Sequence, residues 1–173
     1  MNNFIPDMYQ KSIYHINYDK LKEDGIKCLL FDLDNTCIPF KDTEPNKKLI
    51  DLFEMLKDMD FKVIIFSNAS KKRILPFKNG LNVDCSAKSR KPNTSKLLKV
   101  LKMFNYGLSD VVLIGDQLYT DILCGNRAGI KTILVNPMSK DDMLFTKLFR
   151  FMERKKFKKF ERMGILKKGK YYE

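Results

Sequence analysis

Histidine occurs once, at His15, and the four cysteines, Cys28, Cys37, Cys85 and Cys124, form no CxxC pair. That poverty of nitrogen and sulfur ligands argues against a zinc site, and His15 reads as a structural or surface residue. Three of the cysteines lie beside or inside apolar runs, where the ordinary state is a reduced, buried thiol. No apolar run approaches the ~18 residues of a membrane span, and no apolar stretch preceded by positive charge opens the chain. A transmembrane helix and a secretory signal are therefore not expected, and the cytosol is the expected compartment. Internal repeats and Pro/Gly/Ser-rich linkers are also missing, so the expectation is one domain over residues 1–173.

What is present suits a folded enzyme. The 173 residues are 44% hydrophobic and 12% aromatic, enough for a core without help from disulfides or metal. The net charge is +12, unevenly spread. Residues 147–170 hold eleven Lys or Arg against two Glu, a local net of +9, which leaves about +3 for everything else. The basic character belongs to a tail.

Between residues 27 and 136 short apolar runs alternate with amphipathic stretches. CLLFDL (28–33), FKVIIFS (61–67), VVLIG (111–115) and KTILVN (131–136) read as buried strands. Leu49, Leu52, Phe53 and Leu56 have the spacing of one helical face, and residues 70–78 suggest a short helix. Pro92 is placed to start a helix whose buried stripe is Leu97, Leu98 and Leu101. A further helix spans about 120–128, ending at Gly129. Over residues 1–24, Tyr9, Ile13 and Ile16 are spaced as one side of a short helix. Apolar strands separated by helices predict an α/β fold with a parallel sheet covered on both faces. Such sheets place their chemistry at the carboxyl ends of the strands. Asp32, Asp34, Ser67 and Asp116 all fall at such ends.

FDLDNT (31–36) sets two carboxylates two residues apart, where like charges are costly unless a cation or a reaction uses them. On its own, Asp34-Asn35-Thr36 reads equally well as a turn and helix cap. With SNAS (67–70), the Lys91-Pro92 dipeptide and GDQLYTD (115–121) following in order, the segment resembles motif I of the haloacid-dehalogenase-like (HAD) phosphohydrolases. The other three resemble motifs II, III and IV. The resemblance implies a HAD-like, Rossmannoid fold and hydrolysis of a phosphate monoester. By it, Asp32 is the nucleophile that forms an aspartyl phosphate, and Asp34 is the acid for the leaving group and then the base for water. Mg²⁺ is implied, held by Asp32, the Asp34 carbonyl and Asp116. Ser67 and the backbone N–H of Asn68 would bind the phosphoryl group, and Lys91 would add positive charge, with Lys88 and Arg90 as rivals for that role. Asp121 either supports the metal through water or orients Lys91. Thr36 caps or braces the turn.

Thirty residues separate Thr36 from Ser67 and twenty-three separate Ser67 from Lys91, too few for an inserted cap domain. The active-site edge is therefore expected to be open, which suits a phosphate displayed on a large substrate. IKCLLFDLDNT, GDQLYTDILCGNRAGIKTILVNP and the 141–163 segment resemble the YqeG family, HAD subfamily IIIA, as does the lead-in YHINYDKLKEDGIK. That family is similar to mitochondrial phosphatidylglycerophosphate phosphatases, so the resemblance implies release of phosphate from that lipid headgroup. Cys37-Ile38-Pro39-Phe40 departs from the family pattern at the mouth of the site. A phosphatase acting on nucleic-acid ends, a phosphoprotein or a small metabolite stays open, as does a non-catalytic interaction module.

The tail, 141–170, divides two ways. Phe145, Leu148, Phe149, Met152 and Phe160 fall near one face of a continuous helix, with basic residues around the rest. Either that face packs on the sheet and the charges are merely solvated, or the basic stretch and Phe157 and Phe160 meet an anionic membrane surface. The second reading puts the protein peripherally at the inner face of the cell membrane.

Overall fold

The computed structural model describes residues 3–139 and 144–173, with the side chains of 144–148 outside that description. The expected Phe145 and Leu148 of the tail's apolar face therefore lie outside the described side chains. In chain order the elements are β1 (Met8–Gln10), α1 (Tyr18–Glu23), β2 (Cys28–Phe31), α2 (Lys47–Asp58), β3 (Lys62–Phe66), α3 (Lys71–Leu81) and β4 (Asp84–Ser86). Then come α4 (Ser95–Phe104), β5 (Val111–Gly115), α5 (Leu123–Ala128), β6 (Lys131–Val135) and α6 (Leu144–Arg162). The six strands form one parallel sheet in the order β1-β6-β5-β2-β3-β4.

Alternation along each strand divides the core into two layers. Leu29, Phe31, Val63, Ile65, Val112 and Ile114 point to the side covered by α2 and α3. Cys28, Leu30, Ile64, Phe66, Val111 and Leu113 point to the side covered by α4. This is why the four central strands read as apolar throughout: both faces are buried. The chain runs outward from β2 in one direction through β3 and β4, and in the other through β5 and β6. The crevice at that switch lies beyond the ends of β2 and β5, which pair Phe31 with Ile114.

Several local expectations change. The sheet has two strands more than the four expected. Tyr9 lies in β1, not on a helix with Ile13, which belongs to a 3₁₀ turn capped by Ser12. Pro92 does not start α4; the helix begins at Ser95, whose N–H is taken by the Asn93 side chain at 2.8 Å. The buried stripe of α4 is Leu97, Val100 and Leu101, with Leu98 exposed. The helix expected near 120–128 opens as a wide π-helical turn, Leu118–Ile122, and then becomes α5. His15 is exposed and bonded to Ser12 at 2.8 Å.

The C-terminal segment is part of the fold. Phe160 and Leu166 are buried with Tyr9, Leu118, Ile122 and Leu134 in a third apolar cluster. Tyr172 exchanges two 2.9 Å backbone bonds with Tyr9, covering the outer edge of β1. Phe160 and, in part, Phe157 thus face the protein, correcting their expected place at a bilayer. Among the described residues no helix is long and apolar enough to cross a membrane.

Candidate active site

At the end of β2 the ladder continues one residue further, with the Asp32 N–H donating to Ile114 O at 2.9 Å. The chain then turns: Cys37 and Ile38 return their N–H groups to Leu33 O, and Asn35 takes a left-handed backbone at φ 63°. This turn fixes Asp32 over the sheet edge, 7% exposed. Asp116 follows β5 on the neighbouring strand, and Asp121 lies in the π-helical turn beyond it. Asp32, Asp116 and Asp121 each offer a carboxylate oxygen within 4.8 Å of the others, and all three are buried.

Lys91 reaches into this group from the loop after β4. Its Nζ is 2.6 Å from Asp32 Oδ1, 2.6 Å from Asp121 Oδ1 and 2.9 Å from Phe66 O. Of the three cations in that loop, Lys88 and Arg90 are exposed and Lys91 alone is buried. The Asn68 side chain positions it, accepting from the Lys91 N–H at 2.8 Å and donating to the Lys91 carbonyl at 3.1 Å. That leaves the Asn68 backbone N–H as the group it can offer a ligand. Ser67 is 2% exposed, and its Oγ accepts from the Ala69 N–H at 3.2 Å. Thr36 is buried and donates its hydroxyl to Asp116 Oδ1 at 3.1 Å.

Two arginines not expected at the site complete it, and one of them, Arg150, belongs to the basic residues expected only around the tail helix. Arg73, on the first turn of α3, donates to Asp34 Oδ1 through Nε at 3.0 Å and Nη2 at 2.8 Å. Ser70 caps that helix and so aims Arg73 back over the sheet edge. Arg150, on α6, pairs with Asp116 Oδ2 through Nη2 and donates through Nη1 to the Asp116 carbonyl at 3.0 Å. Gly115 is a third omission: a Cβ there would fall 2.2 Å from Asp121 Cγ, so the approach of Asp121 to β5 requires glycine. The helix start at Lys71, four residues past Ser67, puts Arg73 in the first turn but does not distinguish it from Lys71 and Lys72. Nothing local marks Arg150 among its basic neighbours.

Asp32, Asp34, Asp116 and Asp121, with Glu153 on the far side of Arg150, outnumber the cations Lys91, Arg73 and Arg150. Burial pushes Asp116 up to about 8 against the pull of Arg150, and burial likewise raises Asp121 against Lys91. Asp34 is raised by burial and then by Asp32, with Arg73 opposing. Burial works to lower the pKa of Lys91, but Asp121 and Asp32 outweigh it and hold the ammonium above its usual value. An all-oxygen donor set, buried, mutually repelling and short of positive charge fits a hard divalent cation, which would hold these acids ionised. Asp32, Asp34, Arg73 and Lys91 line a pocket of ≈ 730 Å³ together with Ser67, Asn68, Phe40 and Phe149, while Asp116 and Asp121 are buried outside its lining. Phe149 and Arg150 place α6 against this edge, so it is not bare as expected, although among the described residues no inserted domain covers it.

A parallel sheet with this carboxylate and lysine set at its switch point defines a HAD-type phosphatase. The sequence pattern of the family described as HAD-hydrolase-like matches residues 89–141. The "Probable phosphatase YqeG" of Bacillus subtilis (strain 168) is 37% identical over 161 residues, 93% of this chain and 94% of that protein. The chain belongs to the YqeG family of the HAD superfamily. The "Phosphatidylglycerophosphate phosphatase 1, chloroplastic/mitochondrial" of Arabidopsis thaliana is 27% identical over 175 residues, 93% of this chain and 49% of that protein. This chain therefore spans about half the length of that plant relative. Among solved structures, the cobalt-bound deoxy-D-mannose-octulosonate 8-phosphate phosphatase of Haemophilus influenzae shares the fold. It is 14% identical, with a TM-score of 0.52 over 67% of this chain and 81% of that one.

Proposed function

We propose that the protein is a Mg²⁺-dependent phosphomonoester hydrolase that works through an aspartyl phosphate on Asp32, with phosphatidylglycerophosphate as its substrate. The observation that carries the chemistry is Asp32 itself: buried at the pocket floor, held by a lysine and two residues before a second carboxylate. Its ion pair with Lys91 fixes the carboxylate at the pocket, where it can act as the nucleophile. Ser67 and the Asn68 N–H stand where a phosphoryl oxygen would be received, and Lys91 adds charge beside them.

Asp34 lies on the pocket wall, half held by Arg73, and its raised pKa suits a group that gives a proton to the departing oxygen. Once deprotonated, the same carboxylate takes a proton from the water that cleaves the aspartyl phosphate. Arg73 fixes one of its oxygens and leaves the other for proton transfer. Asp32 and Asp116 would hold the Mg²⁺, with the Asp34 carbonyl, and Asp121 supports the arrangement through Lys91. When bound, the cation offsets the repulsion between a carboxylate nucleophile and a phosphate dianion.

The lipid substrate rests on the similarity to phosphatases so named and on a pocket with apolar walls at Phe40 and Phe149. Lipid substrates lead to the second half of the proposal, a peripheral position at an anionic membrane surface reached through the exposed face of α6. A phosphate-release screen tests the reading, offering phosphatidylglycerophosphate, phosphatidate, sugar phosphates, nucleotides and phosphorylated nucleic-acid ends with and without Mg²⁺. The expected result is Mg²⁺-dependent release, fastest from phosphatidylglycerophosphate. Preference for a nucleic-acid end or small phosphate would overturn the substrate, and no release from any would overturn the enzyme. Asp32→Asn should abolish turnover in a folded protein; appreciable residual activity would remove the nucleophile role.

A further inference from the structure

We propose that Arg150 is a positioning residue for the metal site, so that the C-terminal helix α6 completes a site the core strands leave unfinished. This rests on the reading of Asp32 and Asp116 as metal ligands.

Arg150 grips Asp116 at two points, the carboxylate Oδ2 through Nη2 and the carbonyl through Nη1 at 3.0 Å. Holding backbone and side chain of one residue at once fixes its rotamer, as only a planar fork of donors can. Arg150 is itself held: Nη1 lies 3.2 Å from Glu153 Oε2, one helical turn on. The other oxygen of Glu153 accepts the Leu118 N–H at 2.5 Å. Both acids are buried, Asp116 4% and Glu153 4% exposed. Two side chains of α6 therefore clasp the loop 116–118 from outside the sheet.

Docking alone would need only the Glu153 bond and the buried Phe160. The added contact falls on the one carboxylate in the loop that joins the metal-ligating cluster. Asp116 still offers an oxygen within 4.8 Å of those of Asp32 and Asp121, and its Oδ1 is touched by the neutral Thr36 hydroxyl. The arginine thus orients this ligand without consuming it. Groups that hydrogen-bond a metal-ligating carboxylate commonly set its affinity. By thermodynamic reciprocity, a helix that favours the cation is itself held more firmly once the cation is bound.

Magnesium alone is the probe. Calorimetric titration of the full chain would compare wild type with Arg150→Ala, Arg150→Lys and Glu153→Gln, each checked for fold by circular dichroism. Arg150→Ala should weaken Mg²⁺ binding by about tenfold or more, the usual scale for losing such a partner. Arg150→Lys should also weaken it, since a point charge cannot span both oxygens. Glu153→Gln, which keeps an acceptor for Leu118, should show a smaller loss. Amide exchange in residues 149–162 should slow on adding Mg²⁺ to wild type and not to Arg150→Ala. Should Arg150→Ala fail to fold, the lysine variant and the wild-type exchange carry the test. Unchanged affinity would overturn the proposal. Tighter binding in Arg150→Ala would also overturn it, showing that the guanidinium competes with the cation. A wild type that binds no divalent cation would overturn the metal reading along with it.

Discussion

Lys91 Nζ donates to Asp32 Oδ1 and Phe66 O and forms an ion pair with Asp121 Oδ1 at 2.6 Å. Its side chain is 1% exposed, so water cannot replace any of them. Lys91→Met keeps most of the volume but strands two buried carboxylates, and should cost about 3–5 kcal/mol, as does removing one partner of a buried pair. Denaturant unfolding would measure this, with phosphate release lost even where the variant remains folded. A loss below about 1 kcal/mol would show that the fold does not depend on Lys91 to compensate the two acids. Residues at this scale were unevenly legible. Asp32, Asp34 and Asp116 announce themselves because a strand end and a short spacing are local properties. Arg73 and Arg150 do not, because their meaning lies in contacts made across 39 and 34 residues. The same holds for Gly115, whose need arises from a side chain folded back onto it.

Among the elements, β2, β3, β5 and β6 were readable because burial on both faces makes them continuously apolar. Strands β1 and β4 have three residues each, too short for any periodicity to stand out from a loop. Helix α4 begins late because an Asn93 turn competes with Pro92 for the start. The largest change concerns α6. Sequence periodicity shows that Phe160 lies on a helical face but not what that face meets; the answer is a cluster built from both chain ends. Phe160→Ala should therefore cost about 3–5 kcal/mol, the usual range for a buried phenylalanine. It should also open residues 154–162 to trypsin before the central strands unfold. Equal resistance in the variant would show that α6 is held by Arg150 and Glu153 alone.

Across the whole molecule, the buried face of α6 changes how a membrane role must be tested. Ending the chain near Glu153 would remove Phe160 and Leu166 from the core, so lost binding would report unfolding as readily as lost charge. The outward face carries the cations. Arg154, Lys155, Lys158, Lys159 and Arg162 are exposed, with Phe151 48% exposed among them and Lys155 Nζ 4.6 Å from its ring centroid. Met163, 56% exposed, extends the strip. Phe151 lies two residues past Phe149, which lines the pocket, so a surface contacted by this face would lie beside the pocket mouth. An anionic bilayer attracts such a face by about 1 kcal/mol per nearby Lys or Arg, an attraction that salt weakens. The protein should thus float with phosphatidylglycerol-containing vesicles at low salt, much less at high salt, and little with neutral vesicles. Reversing Lys155, Lys158 and Lys159 to Glu should abolish flotation while leaving the unfolding midpoint and the turnover of a soluble phosphate ester near wild type. Those three side chains make no contact with the active-site carboxylates, which is why the two readouts should separate. Equal binding to both vesicle types, or undiminished flotation of the triple variant, would assign the basic face to solvent and leave the lipid headgroup to reach the pocket unaided.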